Sequence, residues 1–168
     1  MADRVSASIM IGGSLSHSTY AELVEHIHAE GLATEWDGEP FDTHHRVVGT
    51  PLSLYAHEVA GGCFEILESW CVESRLPFVR WSGGYAGQWG PERVVHRGEG
   101  AVASYVVTED DEVVIARAAI EQLGSLEAVL AHFDAADFAV PPLAVEGDDQ
   151  SATASTIIPC MEGASHVE

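Results

Sequence analysis

A central stretch of the chain combines arginine with aromatic side chains, a pairing that can bind a ligand. Guanidinium groups form paired hydrogen bonds with anions, and aromatic rings stack on planar groups. The stretch therefore predicts a binding site for a small anionic or aromatic ligand. The predicted ligand residues within it are Arg80, Trp81, Tyr85, Trp89, Arg93 and Arg97. The alternative is a long β-hairpin whose aromatic side chains cover a sheet and whose arginines pair with nearby acids.

The glycines between residues 82 and 90 do not match a nucleotide-binding loop. Such a loop connects a strand to the N-terminus of a helix, and this segment is followed by another predicted strand. We therefore expect a flexible loop that presents its aromatic residues, and we predict no cofactor.

Nine histidines raise the question of a metal site. The densest group of ligand-type residues is Asp42, His44, His45, His57 and Glu58. Their spacing matches neither HExxH nor a paired CxxC motif, and adjacent His44 and His45 would point apart in a strand. We predict no bound metal, and a small metal- or histidine-dependent enzyme is the third functional hypothesis.

Cys63 follows two glycines at the start of a predicted helix, where the helix dipole can lower the pKa of a thiol. The apolar pattern of that helix, however, places Cys63 on its core stripe, where burial would keep the thiol inert. We predict no catalytic residue. The odd number of cysteines, three, argues against structural disulfides.

Two segments of the first half share one strand-helix-strand plan. Residues 20–31 and 63–74 superpose at a constant offset, with apolar residues on one face and glutamates on the other. Strand-like runs flank both helices, so the units span residues 5–36 and 52–82, the first ending in a short strand at 33–36. Two such units in tandem predict an α+β fold, a ferredoxin-like sandwich in which four antiparallel strands carry both helices on one face.

The same alignment makes predictions about individual helix residues. Ser18 or Thr19 is the expected N-cap of the first helix, and Gly31 is placed to end it. The shared apolar stripe predicts that Ile27 and Trp70 are both buried against the same face of the sheet.

One face of the predicted sheet is lined by polar side chains. Strands 5–11 and 52–59 would be central neighbours, and their residues alternate between apolar and polar. The residues predicted to face away from the helices are Ser6, Ser8, Ser53, Tyr55 and His57. We expect this polar face, through Tyr55 and His57, to contribute to the ligand site.

The second half of the chain adds a β-hairpin and a short helix to this arrangement. Segments 92–97 and 101–108 have the composition of strands, and 126–133 has that of a helix. Residues 112–124 fit either a strand or a helix. The predicted boundaries are 1–145 for a single domain, whose extension is 92–145, and 146–168 for an acidic and polar tail.

Charge is the strongest compositional signal. The 168 residues include 27 Asp and Glu against seven Arg and no Lys, which gives a formal net charge of −20. Nucleic acids and anionic membranes should be repelled, since binding to either depends on Lys and Arg. No apolar run is long enough to span a bilayer and no secretory signal is visible, so we predict a cytoplasmic protein.

The leading hypothesis is a non-enzymatic cytoplasmic protein that binds a small ligand or a protein partner. It would use the 80–97 loop and the polar sheet face, and a homodimer is left open. The second hypothesis is an acidic inhibitor that mimics DNA, which requires a stripe of carboxylates. The acids that would form this stripe are Glu22, Glu25, Glu65, Glu68 and residues 109–112.

Overall fold

The structure, a computed structural model, describes residues 3–148, and the predictions for the tail beyond residue 148 lie outside it. The strands are β1 (Arg4–Ile11), β2 (Gly13–Leu15), β3 (Leu52–Ala60), β4 (Phe78–Ser82), β5 (Glu92–His96), β6 (Ala103–Val106) and β7 (Leu143–Val145). The helices are α1 (His17–Glu30), α2 (Glu65–Glu73), α3 (Arg117–Leu123) and α4 (Leu126–Ala136). None of the helices in this part of the chain has the length and apolarity that a membrane crossing needs.

A five-stranded antiparallel sheet organises the fold. Its strand order is β3-β1-β4-β5-β6, so β1 lies between the two strands that flank α2 along the chain. A second, parallel pairing joins β2 to β7, and it was not predicted. The prediction of an α+β protein is confirmed.

Alternation along the strands creates the core. Ala7, Ile9 and Ile11 of β1 are buried together with Leu54 of β3 and Phe78 of β4, because these side chains share the face on which α1 and α2 pack. Removing this apolar surface from water is the main favourable contribution to folding.

The N-terminal cap of α1 lies two residues before the nearer predicted position. Ser16 accepts a hydrogen bond at its Oγ from the backbone N–H of Thr19, at 3.2 Å, so neither Ser18 nor Thr19 is the cap. Gly31 ends the helix as predicted, in the left-handed conformation with φ 67°. Ile27 is fully buried, which confirms the prediction for this residue.

The alignment of α2 with α1 is displaced by one residue from the one that the sequence suggested. Leu67 and Cys71 form the buried stripe of α2, whereas Cys63 lies exposed before the helix begins. Trp70 is consequently only partly buried, with its ring 5.2 Å from a histidine ring of α1. The predictions of Cys63 in the core and of a fully buried Trp70 were therefore wrong.

The strand expected at 33–36 is reduced to one residue, Ala33, which forms bridges with Tyr55 of β3 and with Pro40. The N–H of Gly38 donates to the carbonyl oxygen of Glu35, at 3.1 Å, and this bond closes a turn where the strand was expected. Asp37, inside the turn, has a left-handed φ of 58°. The chain therefore leaves the sheet edge directly after Ala33.

The second half of the chain follows its predictions more closely. β5 and β6 form the expected hairpin, and α4 runs three residues beyond its predicted end. Within the ambiguous segment 112–124, Val113 makes a bridge to Val107 and α3 begins at Arg117, so both alternatives are present. A Cβ at Gly12 would lie 1.9 Å from the carbonyl oxygen of Pro141, so glycine is required where the chain approaches β7.

Candidate functional site

The face of the sheet opposite α1 and α2 is only partly covered. α4 lies against the β5–β6 end, where the rings of Tyr105 and His132 are 5.1 Å apart. At the β3–β1–β4 end, Met10 and Trp36 are 38 % and 40 % exposed. This end is therefore open to solvent.

Four ring side chains, Trp36, Tyr55, His57 and Trp81, converge at the open end, and we call them the Trp36 cluster. The ring centroid of Trp36 lies 4.9 Å from those of Tyr55 and His57, and 6.4 Å from that of Trp81 in an edge-on arrangement. These distances are typical of favourable aromatic contacts. The structure thus brings together three of the predicted ligand residues, Tyr55, His57 and Trp81.

Strand geometry accounts for two of the rings. Ser8 of β1 pairs with Tyr55 on one side and with Trp81 on the other, so both rings project from the same face of the sheet at the same level. Trp36 reaches them from the turn that follows Ala33. Sequence reasoning placed Tyr55 on this face but missed Trp36, because turn residues follow no period that reveals their direction.

A β-bulge in β3 gives His57 its position. The register between β1 and β3 shifts by one residue here, so His57 and Glu58 together lie opposite Ser6. Glu58 has a φ of 58°, a conformation that is costly for a residue other than glycine. His57 Nδ1 lies 2.7 Å from Ser6 Oγ, and His57 Nε2 lies 3.4 Å from Asp37 Oδ1.

Two larger clefts flank the Trp36 cluster, and a third, of about 70 Å³, lies beside Tyr55 and Trp81. The first, of about 490 Å³, is lined by His57, Trp81 and Tyr85, and we call it the His57 cleft. The second, of about 210 Å³, lies beside Trp36 and Asp37. Further residues that line the His57 cleft are Arg4, Ser6, Glu58, Gly84 and Glu109.

Acidic groups outnumber basic ones along these clefts. Asp37, Glu58 and Glu109 are lining residues, and Arg4 is the one arginine among them. Opposite charges attract most strongly where water is partly excluded, so the clefts favour a cationic group over an anion. This differs from the anionic ligand that the sequence predicted.

Arg80 lies on the opposite face of the sheet from Trp81, because consecutive strand residues point to opposite sides. It is 5 % exposed, and its Nε and Nη2 atoms each lie 3.0 Å from a carboxylate oxygen, of Glu68 and Glu92 respectively. Burial raises the pKa of Glu68, although the charge of Arg80 opposes that shift. The predicted grouping of Arg80 with Trp81 is corrected accordingly.

Arg93 and Arg97 fasten α4 to the sheet. Arg93 forms ion pairs with Asp111 at 2.9 Å and with Asp137 at 2.8 Å, and its side chain is only 12 % exposed. Arg97 donates to a carbonyl oxygen in α4 at 2.9 Å and stacks over Phe138. Arg93 is the cross-strand neighbour of Trp81, but its guanidinium is directed into these ion pairs with Asp111 and Asp137, so acids neutralise much of the positive stretch.

The remaining two predicted residues stack on each other at the tip of the 82–90 loop. The rings of Tyr85 and Trp89 are 5.2 Å apart. Tyr85 lines the His57 cleft, whereas Trp89 lines a separate cleft of about 350 Å³ together with Glu92. Of the loop aromatics, Trp81 and Tyr85 therefore share a cleft, and Trp89 does not.

The histidine group that raised the metal hypothesis has a local structural role. Asp42 accepts the backbone N–H of His44, at 3.1 Å, and donates its own backbone N–H to His45 Nδ1, also at 3.1 Å. These bonds cap one 3-10 turn. Within residues 3–148, no three His, Cys, Asp or Glu side chains are arranged to hold a metal ion.

The two described cysteines are free thiols that are not activated. Burial raises the pKa of Cys71 to about 12, and burial followed by the charge of Glu68 raises the pKa of Cys63. The reactive thiolate form is therefore disfavoured at both positions.

The acids expected in a DNA-like stripe lie on separate surfaces. Glu22 and Glu25 are exposed on α1, whereas Glu68 forms an ion pair with the buried Arg80. Asp111 binds Arg93 on the opposite face of the sheet. These carboxylates do not form one continuous row.

Comparison with known proteins gives this chain no relative. No protein-family model, curated protein or solved structure matches it. The Trp36 cluster, the clefts beside it and their charge are therefore the features that bear on function.

Proposed function

We propose that the protein binds a small planar ligand on the Trp36 cluster. The observation that carries this proposal is the convergence of four ring side chains at the one end of the sheet face that α4 leaves open. Aromatic groups that only complete a core are covered by other elements. Here Trp36 is 40 % exposed, and a cleft lies on each side of the cluster.

The charge around the cluster selects the class of ligand. A planar cation gains from the faces of Trp36 and Trp81 and from Asp37, Glu58 and Glu109, whereas a planar anion meets repulsion from the same acids. Arg80 and Arg93 are not available to bind an anion at the cluster, because each already forms an ion pair with a carboxylate. We therefore propose a planar, cationic or neutral ligand.

A shape-matched pair of probes tests this proposal by tryptophan fluorescence and calorimetry. We expect 1-methylquinolinium to bind and quench fluorescence, and quinoline-2-carboxylate to bind at least about tenfold more weakly. Trp36→Ala should abolish quinolinium binding with a nearly unchanged melting temperature. Trp89→Ala, a matched tryptophan deletion outside the Trp36 cluster, should leave the affinity intact.

Two results would overturn the proposal. One is an affinity that Trp89→Ala lowers as much as Trp36→Ala, which would place the ligand in the cleft beside Glu92. The other is the absence of any calorimetric or fluorescence response to either probe.

We propose further that the sheet is a ferredoxin-like arrangement whose second strand is reduced to Ala33. The antiparallel order β3-β1-β4 with α1 and α2 on one face supports this, as does the bridge from Ala33 to Tyr55 at the β3 edge. β5 and β6 then extend the sheet beyond β4.

A cytoplasmic location and a homodimer stay predictions. Free thiols at Cys63 and Cys71 support a reducing compartment. The side chain of Val106 on β6, which is 64 % exposed, supports an apolar surface through which two copies pair.

A further inference from the structure

The His57 ring lies between a serine hydroxyl, with which it forms a hydrogen bond, and the exposed carboxylate of Asp37, with which it is close enough to pair. Asp37 lies 3.4 Å from Nε2 and Ser6 Oγ lies 2.7 Å from Nδ1. A carboxylate beside Nε2 favours the tautomer that carries its hydrogen there, which leaves the lone pair of Nδ1 free to accept the proton of the Ser6 hydroxyl. The order serine, imidazole, carboxylate is the order that activates a serine as a nucleophile, although the two ring nitrogens have exchanged partners relative to the serine-protease triad.

Unusual backbone conformations hold this order in place. Glu58 and Asp37 both have φ of 58°, and both are residues other than glycine. Glu58 belongs to the bulge that sets His57 opposite Ser6, and Asp37 belongs to the turn that brings its carboxylate to the ring. Costly backbone conformations of this kind persist where the surrounding structure enforces them.

The hydroxyl is accessible to a substrate. Ser6 and His57 both line the His57 cleft of about 490 Å³, which also carries Arg4. Arg4 donates to the carbonyl oxygen of Glu58 at 2.7 Å, so its guanidinium is held beside the bulge. A guanidinium in this place can stabilise negative charge that develops on an oxygen in the cleft.

We propose that Ser6 is the nucleophile of an acyl-transfer site that hydrolyses esters. Ser6 Oγ attacks the ester carbonyl carbon while its proton moves to His57 Nδ1, and the proton then passes to the departing alkoxide as the ester C–O bond breaks. Water attacks the acyl-serine, gives one proton to His57, and Ser6 regains its hydrogen as the carboxylic acid leaves. The sum is ester plus water giving alcohol plus acid.

The aromatic surroundings specify the class of ester. Trp81 lines the same cleft, and the Trp36 ring lies 4.9 Å from the His57 ring in a tilted arrangement. An aryl ester places its ring on these faces and its carbonyl near Ser6. This preference rests on the proposed ligand site, whereas the nucleophilic role of Ser6 does not.

Diisopropyl fluorophosphate tests the nucleophile directly, since attack by a serine forms an O–P bond and releases fluoride. We expect one adduct in the intact mass, located at Ser6 by peptide mapping. Hydrolysis of 4-nitrophenyl acetate should fall at least about 100-fold in Ser6→Ala and in His57→Gln, the range expected when base catalysis is lost. Ser8→Ala, a matched serine on the same strand and face, should keep the parent rate.

An adduct at another residue, or a Ser6→Ala variant as active as the parent, would overturn the proposal. Melting curves establish that each variant is folded, and the mapped adduct on the parent protein needs no variant. Labelling of Ser6 without quinolinium binding would retain acyl transfer and remove the ligand proposal. Quinolinium binding without labelling would do the reverse.

Discussion

Arg80 is buried between two carboxylates. Nη1 donates to Ser82 Oγ at 2.8 Å, and the contacts to Glu68 and Glu92 neutralise the guanidinium beneath α2. A buried ion pair contributes little net stability compared with an apolar pair, but removing one partner leaves a buried charge uncompensated. The role of Arg80 is therefore visible only when one partner is changed alone.

We predict that Arg80→Ala destabilises the fold by about 3–5 kcal/mol, since Glu68 would be left without its partner. Chemical denaturation of the variant measures this. The matched control is Arg117→Ala, whose side chain is 92 % exposed and whose pair with Glu121 lies on the surface, so its stability should hardly change. Equal stability of the two variants would contradict the prediction.

His96 is a buried histidine without polar contacts. It is 1 % exposed, its ring packs 5.6 Å from that of Phe78, and neither ring nitrogen has a hydrogen-bond partner among the described residues. Burial lowers the pKa of His96, because a charged imidazolium is not solvated there. The unfolded chain therefore takes up this proton at a higher pH than the folded protein.

This difference predicts acid destabilisation that begins well above the range of the carboxylates. The contribution of neutral His96 is complete above about pH 6.5, the ordinary histidine pKa, and is lost as the pH falls below it. Hydrogen bonds with Arg46 and with the Val145 backbone lower the pKa of Asp148 to about 2, so the stability that this carboxylate contributes is lost only at lower pH. Urea denaturation of the parent and of His96→Leu between pH 7.5 and 5 measures the difference. The free energy of unfolding of the parent should fall relative to that of His96→Leu as the pH falls. Parallel curves for the two proteins would refute the assignment.

At the scale of elements, α4 is held to the sheet by few contacts, and Arg93 makes the most specific of them. It binds Asp111 in one turn, and at the end of α4 it binds Asp137 and the carbonyl oxygen of Ala136 at 3.1 Å. A hydrogen bond to a charged group contributes about 1.5–3 kcal/mol. One side chain therefore connects β5 to two separate segments.

We predict that Arg93→Ala increases amide hydrogen exchange in α4 and in residues 109–112 by roughly tenfold or more, as expected for a loss of this size. Exchange in α1 and α2 should not change. Mass spectrometry of peptides from each element gives the comparison. Uniform acceleration across the whole chain would instead show that α4 is part of the main cooperative unit.

The elements differ in how far the sequence predicts them, for physical reasons. β1, β3 and α1 have clear periods, and the structure contains all three. The predicted alignment of α2 with α1 was wrong by one residue, because an apolar pattern with a period of 3.6 fits nearly as well when it is shifted by one position. The prediction of a strand at 33–36 was wrong because the turn at Asp37–Gly38, closed by the hydrogen bond from Gly38 to Glu35, takes the chain away from the sheet.

The candidate site was predictable only in part. Alternation along β3 placed Tyr55 and His57 on one face, and the same rule applied to β4 would have separated Arg80 from Trp81. The bulge at Glu58 and the turn at Asp37 depend on long-range packing, so their contribution was not visible in the sequence.

For the whole molecule, a formal charge of −20 implies that like charges repel across the surface. We predict that the melting temperature rises as sodium chloride increases from about 0.01 to 0.2 M, because the Debye length falls from about 30 Å to below 10 Å. A gain of about 1 kcal/mol would correspond to roughly 2–4 °C at this chain length. Repeating the series near pH 4.5, close to the sequence pI, is the control and should flatten the response. A flat response at neutral pH as well would mean that local pairing already balances the acids.

The parallel pairing of β2 with β7 has a consequence for the order in which the protein is made. Leu15 and Leu143 belong to the same core cluster, and Arg46 pairs with Asp148. Leu15 and Arg46 therefore cannot make these contacts until residues about a hundred or more positions later have been translated. When only the first 140 residues have left the ribosomal tunnel, β7 is absent, and Leu15 of β2 is not yet covered by that strand. Completion of the core is therefore timed by the emergence of residues 143–148, and until then the nascent chain exposes an apolar edge to chaperones.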